Sequence, residues 1–323
     1  MDEAQRAALA AFLADRRGSP VVILDVQRIN VGHSRAMYRI ELDDGSRYVV
    51  RLEQGGVFGT SSHEEYGVMA ALAEVGVPVA RVRWMEPSGA VLGQPFFVMD
   101  LLVEAVDNES RTLDPATTDA FVSALDRLHR VDWQAARIPF QLIPDDPAQA
   151  THGQIERWAG AYRRAAAGPI PLLEEAAAWL HAHAPPLQHL AVVHGDAGPG
   201  NFVHHQGRIV AITDWEFAHL GDPAEDWSFC MTMRGRDTFD PPGWRDVFAR
   251  VAGVELDDAA WAYWEAFNLF KGACANRTCL TVFEEGASRA PDLVVIGTML
   301  HRVFLRRLVD IVARPPATGG PRD

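Results

Sequence analysis

The sequence predicts an α+β protein of two lobes, a small mixed one over residues 1–102 and a larger, mostly helical one over 103–323. Three observations lead there. A chain of 323 residues is long for a single hydrophobic core. Up to about residue 102 the texture runs helix, strands, helix, strands. Beyond it, long stretches carry apolar residues at helical spacing, interrupted by a β-like patch over residues 190–216.

Residues 4–16 place Ala, Leu and Phe at helical spacing and predict a first helix. The segments VVILDVQRI, AMYRIEL and SRYVVRLE are short, β-branched and aromatic, with a turn signal at Asp43–Asp44–Gly45, and predict a small antiparallel sheet. The Gly- and Ser-rich piece over 54–62 reads as a loop. HEEYGVMAALAEVG then shows helical periodicity, closed by Gly76 and Pro78. Two apolar segments follow, around Val79–Met85 and Pro95–Leu102; the second, PFFVMDLL, has the look of a buried strand. In the large lobe, Asp114–Pro115 supplies a capping side chain and a proline where a helix begins, and AFVSALDRLHRVDW carries its apolar stripe. Residues 154–184, 257–274 and 292–312 are also helical in texture. The tail ARPPATGGPRD is rich in Pro and Gly and predicts no regular structure.

Apolar residues make up 48% of the chain and charged residues 23%, the balance of an ordinary globular protein. A formal charge of −13 argues against a nucleic-acid partner, which needs clustered Lys and Arg. Cys230, Cys274 and Cys279 form no CxxC and leave an odd count, so reduced thiols are expected. The N-terminus lacks the basic region and apolar stretch of a signal peptide, and no apolar run approaches membrane-spanning length. The expectation is a soluble, cytoplasmic protein with no membrane partner. Composition leaves the oligomeric state open.

Chemistry concentrates in VVHGDAGPGNFVHHQGRIVAITDWEFAHLGDPAEDWSF. Asp196, Asn201 and Asp214 each follow a strand-like segment, where rigid apolar backbone can position polar groups. Asp196 and Asn201 share one Gly/Pro loop, and Asp214 ends the next strand after a hairpin, so all three side chains can reach one point. Mg²⁺ takes oxygen ligands, only one or two of them from protein when phosphates supply others. Asn201 and Asp214 fit that part. Asp196 is left to orient an attacking hydroxyl and accept its proton. Phosphoryl transfer asks a protein for little beyond such positioning and charge neutralisation.

HGDxxxxN followed by DWE resembles the aminoglycoside phosphotransferase-like family, small-molecule kinases with a bilobal protein-kinase-like fold. The resemblance is specific over residues 194–229 and suggestive over 30–102. It implies ATP (GTP possible), Mg²⁺ and a hydroxylated small-molecule substrate, with Asp196 as base and Asn201 and Asp214 as metal ligands. In LGDPAEDW it implies a carboxylate bracing the catalytic loop, Asp226 first and Asp222 second. In the small lobe, NVGHSRAMYRIEL occupies the phosphate-loop position, implicating Gly32, His33 and Ser34. It has one glycine in place of the usual three. Arg51 stands where kinases carry a lysine on the third strand, and Glu65, or less readily Glu64, would pair with it. PFFVMDLL resembles the hinge strand, so backbone near Met99, Asp100 and Leu101 would meet the purine. AHLGDPAEDW and YWEAFNLFKGACA look most like phosphotransferase domains related to those joined to acyl-CoA dehydrogenases, which implies a hydroxyacyl-type acceptor.

Other readings of the same residues compete. Asp196, Asn201 and Asp214 are all turn-favouring types, although HGD, DWE and the lobe order together outweigh that reading. His194 reads as a brace for the loop. The histidines 181, 183, 189, 204 and 205 lack HExxH spacing and a cysteine pair, so packing outweighs zinc. Glu265 and Lys271 suit either a substrate pocket or a salt-bridged surface. The arginine at 51 and the poor glycine loop also suit a nucleotide-binding pseudokinase acting as a regulatory or interaction module. A protein kinase proper is disfavoured, because HRD, DFG and APE are all missing.

Overall fold

The computed structural model describes residues 1–29, 35–53, 61–102, 112–286, 288 and 290–313. Its N-terminal part is a five-stranded antiparallel sheet with helices. Helix α1 (Glu3–Arg17) starts in a capping box between Asp2 and Gln5 and stops at left-handed Gly18. Strands β1 (Ile23–Ile29), β2 (Arg35–Leu42) and β3 (Arg47–Glu53) form a meander, followed by helix α2 (Ser62–Glu74) and strands β4 (Val82–Glu86) and β5 (Phe96–Asp100). The strand order is β1-β2-β3-β5-β4.

Alternation along the strands aims the key side chain. Val50 is fully buried against α1, in a cluster with Leu9, Leu13, Ile40, Phe96 and Val98. Its neighbour Arg51, in register with Phe97, faces the other way, toward α2 and the second lobe. Phe97 on that face packs with Val68, Met69 and Leu72 of α2, in a cluster that continues into the C-terminal part through Phe121, Phe202 and Trp215. A parallel bridge from Val79 to Ile212, with the Ile212 amide donating to the Pro78 carbonyl at 2.7 Å, adds a backbone link between the two halves.

The C-terminal part holds helices α3 (Pro115–His129), α4 (Ala148–Ala165) and α5 (Pro171–His183), then short strands β6 (Ala191–Val193), β7 (Phe202–His205), β8 (Arg208–Ile212) and β9 (His219–Gly221). After these come α6 (Ala224–Phe229), a π-helical turn over Cys230–Arg234, α7 (Pro241–Ala252), α8 (Asp258–Glu284), α9 (Asp292–Val295), a second π turn over Ile296–Leu300, and α10 (His301–Val312). Helix α8, 27 residues long, carries the second core, burying Trp264, Phe267 and Phe270 against Ile155, Trp158 and Tyr162 of α4 and Leu173 and Leu180 of α5.

Three sequence expectations are refined. The helical stretch expected over 154–184 is two helices, because Pro169 and Pro171 cannot continue the ladder of α4. The helix expected over 257–274 runs on to Glu284, since Cys279 and Val282 keep a buried face. The stretch over 292–312 contains a π turn where Gly297 lies so close to α8 that a Cβ there would stand 2.5 Å from Leu280 Cβ. Cys230, Cys274 and Cys279 are buried free thiols. No helix among the described residues is long and apolar enough to cross a membrane.

Candidate active site

Two short pairings create the site. β6 pairs with β9, and β7 pairs with β8 through a two-residue turn at Gln206 and Gly207, both at positive φ. The loop from His194 to Asn201 leaves β6, and residues 213–214 leave β8, side by side. Backbone fastens them: the Thr213 amide donates to the Asn201 carbonyl at 2.9 Å. His194 adds a second tie, its Nε2 donating to the Thr213 carbonyl at 2.9 Å while Nδ1 accepts from the Asp196 amide at 3.2 Å. Both ring nitrogens are committed to backbone, so His194 is a brace. Gly195 sits at φ +82°, and a Cβ there would lie 2.7 Å from the Phe217 carbonyl, so the turn before Asp196 requires glycine.

Beneath the loop lie two buried charge systems. Asp226 in α6, fully buried, accepts from the amides of His194 at 2.7 Å and Gly195 at 2.8 Å and meets His129 Nε2 at 2.9 Å. Burial alone would push its carboxyl up; the hydrogen bond and charge of His129, with the His194 contacts, outweigh burial and hold it below the ordinary range. Asp222, the other carboxylate weighed for this place, instead accepts from the Ala224 amide at 2.8 Å. The second system is Lys271, whose Nζ donates to the Gly195 carbonyl and to Glu225 Oε1, both at 2.6 Å, under the ring of Phe229. Lys271 thus belongs neither to a pocket wall nor to a surface face; it is 4% exposed and supports the loop from within α8. Glu265 is half-buried and paired with Arg307 at 3.0 Å.

At the loop's end the buried Asn201 donates Nδ2 to Asp196 twice, to its carbonyl at 2.9 Å and to Oδ2 at 2.7 Å. That turns the amide oxygen of Asn201 away from Asp196. Asp196 also receives a two-pronged contact from Arg234, Nε to Oδ1 at 2.8 Å and Nη2 to Oδ2. Asp214 adopts a left-handed conformation, φ 68° and ψ 58°, uncommon for a residue other than glycine and costly unless its surroundings enforce it. Its Oδ1 takes Arg51 Nη2 at 2.8 Å, joining the two lobes. Arg51 also holds Glu65, Nε to Oε2 at 3.2 Å and Nη2 to Oε1 at 2.9 Å. Burial alone would raise the Asp214 carboxyl, but Arg51, with Arg234 nearby, overrides it and keeps the group below the usual range. The Arg51 guanidinium, despite its own burial, is raised by Glu65 and Asp214.

Asp196 and Asn201 therefore form one hydrogen-bonded group with Arg234, and Asp214, Arg51 and Glu65 form another, the two tied through the backbone bond from Thr213 to Asn201. Met99 and Asp100 end β5, with Leu101 next; Asp100 spends its carboxylate on Arg83 at 2.7 Å through both oxygens and its amide on the Arg81 carbonyl at 2.9 Å. Gly32, His33 and Ser34 lie outside the described residues. His181 packs on His152 with ring centroids 5.1 Å apart, and among the described residues no group of three or more His, Cys, Asp or Glu is arranged to hold a metal. Sequence reasoning missed Arg234 and His129. Arg234 lies 38 positions from Asp196 with no motif spacing to announce it. His129 reads as the end of an amphipathic helix.

An antiparallel five-stranded sheet joined to a helical body, with such a network where the two meet, defines a kinase-like phosphotransferase. Residues 25–267 match the model of the phosphotransferase enzyme family, and the chain belongs to that family. Among curated proteins it is 30% identical over 217 residues to acyl-CoA dehydrogenase family member 10 of Mus musculus, a match covering 64% of this chain and 20% of the mouse protein. The chain thus spans about a fifth of that relative. Among solved structures, a choline kinase from Streptococcus pneumoniae superposes with a TM-score of 0.67 at 14% identity, over 94% of this chain and 99% of the other. A thermostable mutant of an aminoglycoside phosphotransferase, in ternary complex with ADP and hygromycin B, superposes with a TM-score of 0.64 at 15% identity, over 97% and 100%. The chain is a phosphotransferase-family protein with the fold of these neighbours.

Proposed function

We propose that this enzyme transfers the γ-phosphate of ATP, or GTP, to a hydroxyl of a small molecule in a Mg²⁺-dependent reaction. The observation that supports this reading is the pairing of Asn201 with Asp196 on one loop and of Arg51 with Asp214 on the next, the two loops tied by the bond from the Thr213 amide to the Asn201 carbonyl. The presence of ADP in a structural neighbour supports the choice of nucleotide.

The donor set fits Mg²⁺. Asn201 commits its amide nitrogen to Asp196 and Asp214 commits Oδ1 to Arg51, which leaves one hard oxygen on each. When bound, the ion neutralises phosphate charge and aligns the transferred group. Arg51, with Nε and Nη2 taken by Glu65 and Asp214, meets the α- and β-phosphates as a guanidinium charge in place of the usual ammonium. Asp196 orients the acceptor hydroxyl and accepts its proton. Backbone at Met99–Leu101 meets the purine, with the Gly32–Ser34 segment at the phosphates. In this account residues 1–102 are the nucleotide-binding lobe and 103–323 the catalytic and substrate lobe. Calorimetric titration with Mg-ATP and Mg-GTP tests it: the wild type binds, and Asp214→Ala binds more weakly. Equal affinity in the two proteins contradicts the metal assignment. Tight nucleotide binding without turnover on any acceptor supports the regulatory pseudokinase instead.

A further inference from the structure

Asp196 is held on one side by a residue that no motif announces. Arg234 ends the π turn that follows α6, and its side chain runs back across the catalytic loop to Asp196. The loop is shaped around it. Gly198, at φ +144°, stands where a Cβ would come within 2.6 Å of Arg234 Cβ, and Gly200, at φ +96°, where a Cβ would lie 3.2 Å from Nη1. Two glycines in three positions thus clear the path of one arginine.

The contact also distinguishes the two oxygens of the carboxylate. Oδ2 accepts from both Asn201 Nδ2 and Arg234 Nη2, whereas Oδ1 accepts from Arg234 Nε. A carboxylate oxygen has about two lone-pair directions. Oδ2 is filled and Oδ1 keeps one.

We infer that Arg234 is a positioning residue for phosphoryl transfer: it fixes the Asp196 carboxylate so that Oδ1 faces the acceptor hydroxyl. The inference rests on the reading of Asp196 as base given above. The hydroxyl donates to the remaining lone pair of Oδ1. Its proton passes to Oδ1 as its oxygen bonds to the γ-phosphorus, and the bond from that phosphorus to the bridging oxygen breaks, releasing the nucleoside diphosphate. Arg234 gives up no proton; it keeps the accepting orbital in line. A lysine at this place would supply charge without the two-pronged grip.

The test uses the full chain with Mg-ATP, ADP release as readout, and glycerol as the hydroxyl probe where a panel of metabolites offers no better acceptor. Arg234→Ala should lower kcat by about 10²-fold, the scale of an ångström-level misplacement, with the calorimetric Kd for Mg-ATP unchanged. Millimolar guanidinium should restore part of that kcat, saturably, in Arg234→Ala but not in Asp196→Ala. Arg234→Lys should fall between wild type and Arg234→Ala and serves if the alanine variant folds poorly. Unchanged kcat in both Arg234 variants, or a loss that guanidinium does not relieve while the fold is intact, overturns the inference. An Asp196→Ala variant as active as wild type, or a wild type without turnover, overturns the reading beneath it and the inference together.

Discussion

Lys271 offers the sharpest check on how the catalytic loop is supported. Lys271→Met keeps length and apolar volume but removes the ammonium that joins the Gly195 carbonyl to Glu225. Glu225 is 1% exposed, so the variant strands a charge in the core. Removing one partner of a buried ion pair costs about 3–5 kcal/mol. An unsatisfied buried carbonyl costs about 1–3 kcal/mol. The two overlap, since one Nζ serves both, and His219, 3.2 Å from Glu225 Oε2, offsets part; about 4 kcal/mol is expected. At the low end of ~2–4 °C per kcal/mol, suited to a chain of this size, Tm should drop by about 8 °C. Lys271→Met combined with Glu225→Gln should recover much of it, because the neutral pair strands no charge. The pH dependence has a definite sign. In the wild type, burial raises the Glu225 carboxyl but Lys271 and His219 overcome it, so its folded pKa is lowered. That contribution is present above the unfolded carboxylate range and is lost as pH falls through the folded value. In Lys271→Met burial is opposed by His219 alone, so the penalty is full at neutral pH and eases on acidification. The gap between variant and wild type should therefore close toward pH ~4. Urea unfolding across pH measures it. A single variant costing under about 1 kcal/mol, or a double variant no better than the single, refutes this reasoning.

Other changes have equally definite outcomes. Asp226→Asn weakens the acceptor for the His194 and Gly195 amides, so kcat should fall by about 10²-fold with Mg-nucleotide affinity intact, as steady-state kinetics beside calorimetry would show. Because the folded Asp226 pKa is lowered, its stabilisation holds above the ordinary carboxylate range and is lost as pH falls below it, so this variant should approach wild-type stability in acid. Arg51→Met removes the buried guanidinium that joins Glu65, 3% exposed, to Asp214; stability should fall by about 3 kcal/mol and the Kd for Mg-ATP should rise, checked by denaturant titration and calorimetry. Gly195→Ala forces a Cβ toward the Phe217 carbonyl at positive φ, and thermal unfolding should show a loss of about 1–3 kcal/mol.

The sequence carried the architecture and the catalytic segment because both are written locally. The β-branched texture of β3, the proline start of α3 and the hairpin turn at Gln206–Gly207 are short-range signals, whereas the proline start of α5 went unread. HGD, Asn201 and DWE lie within one stretch and converge through two adjacent strand pairings. The Arg51–Glu65 contact followed from the family resemblance, whereas the bond from Arg51 to Asp214 spans 163 positions and was not read. The support beneath the loop was legible in part, through Asp226. Its partner His129 lies 97 positions away, and Lys271 reaches Gly195 across 76 positions, from a helix apolar enough to hide the whole side chain. Arg234 was invisible for the same reason: its partner is set by tertiary packing, and the only local trace is a pair of glycines that loops carry for many reasons.

The central claim is that Asp196 is the base of a Mg-nucleotide-dependent transfer to a hydroxyl. The most direct measurement is ADP release with Mg-ATP over a panel of hydroxylated metabolites, hydroxyacyl compounds and aminoglycosides, wild type beside Asp196→Ala. The account predicts acceptor-dependent turnover that falls by several orders of magnitude in the variant while nucleotide binding persists. Turnover that survives the loss of Asp196 contradicts it.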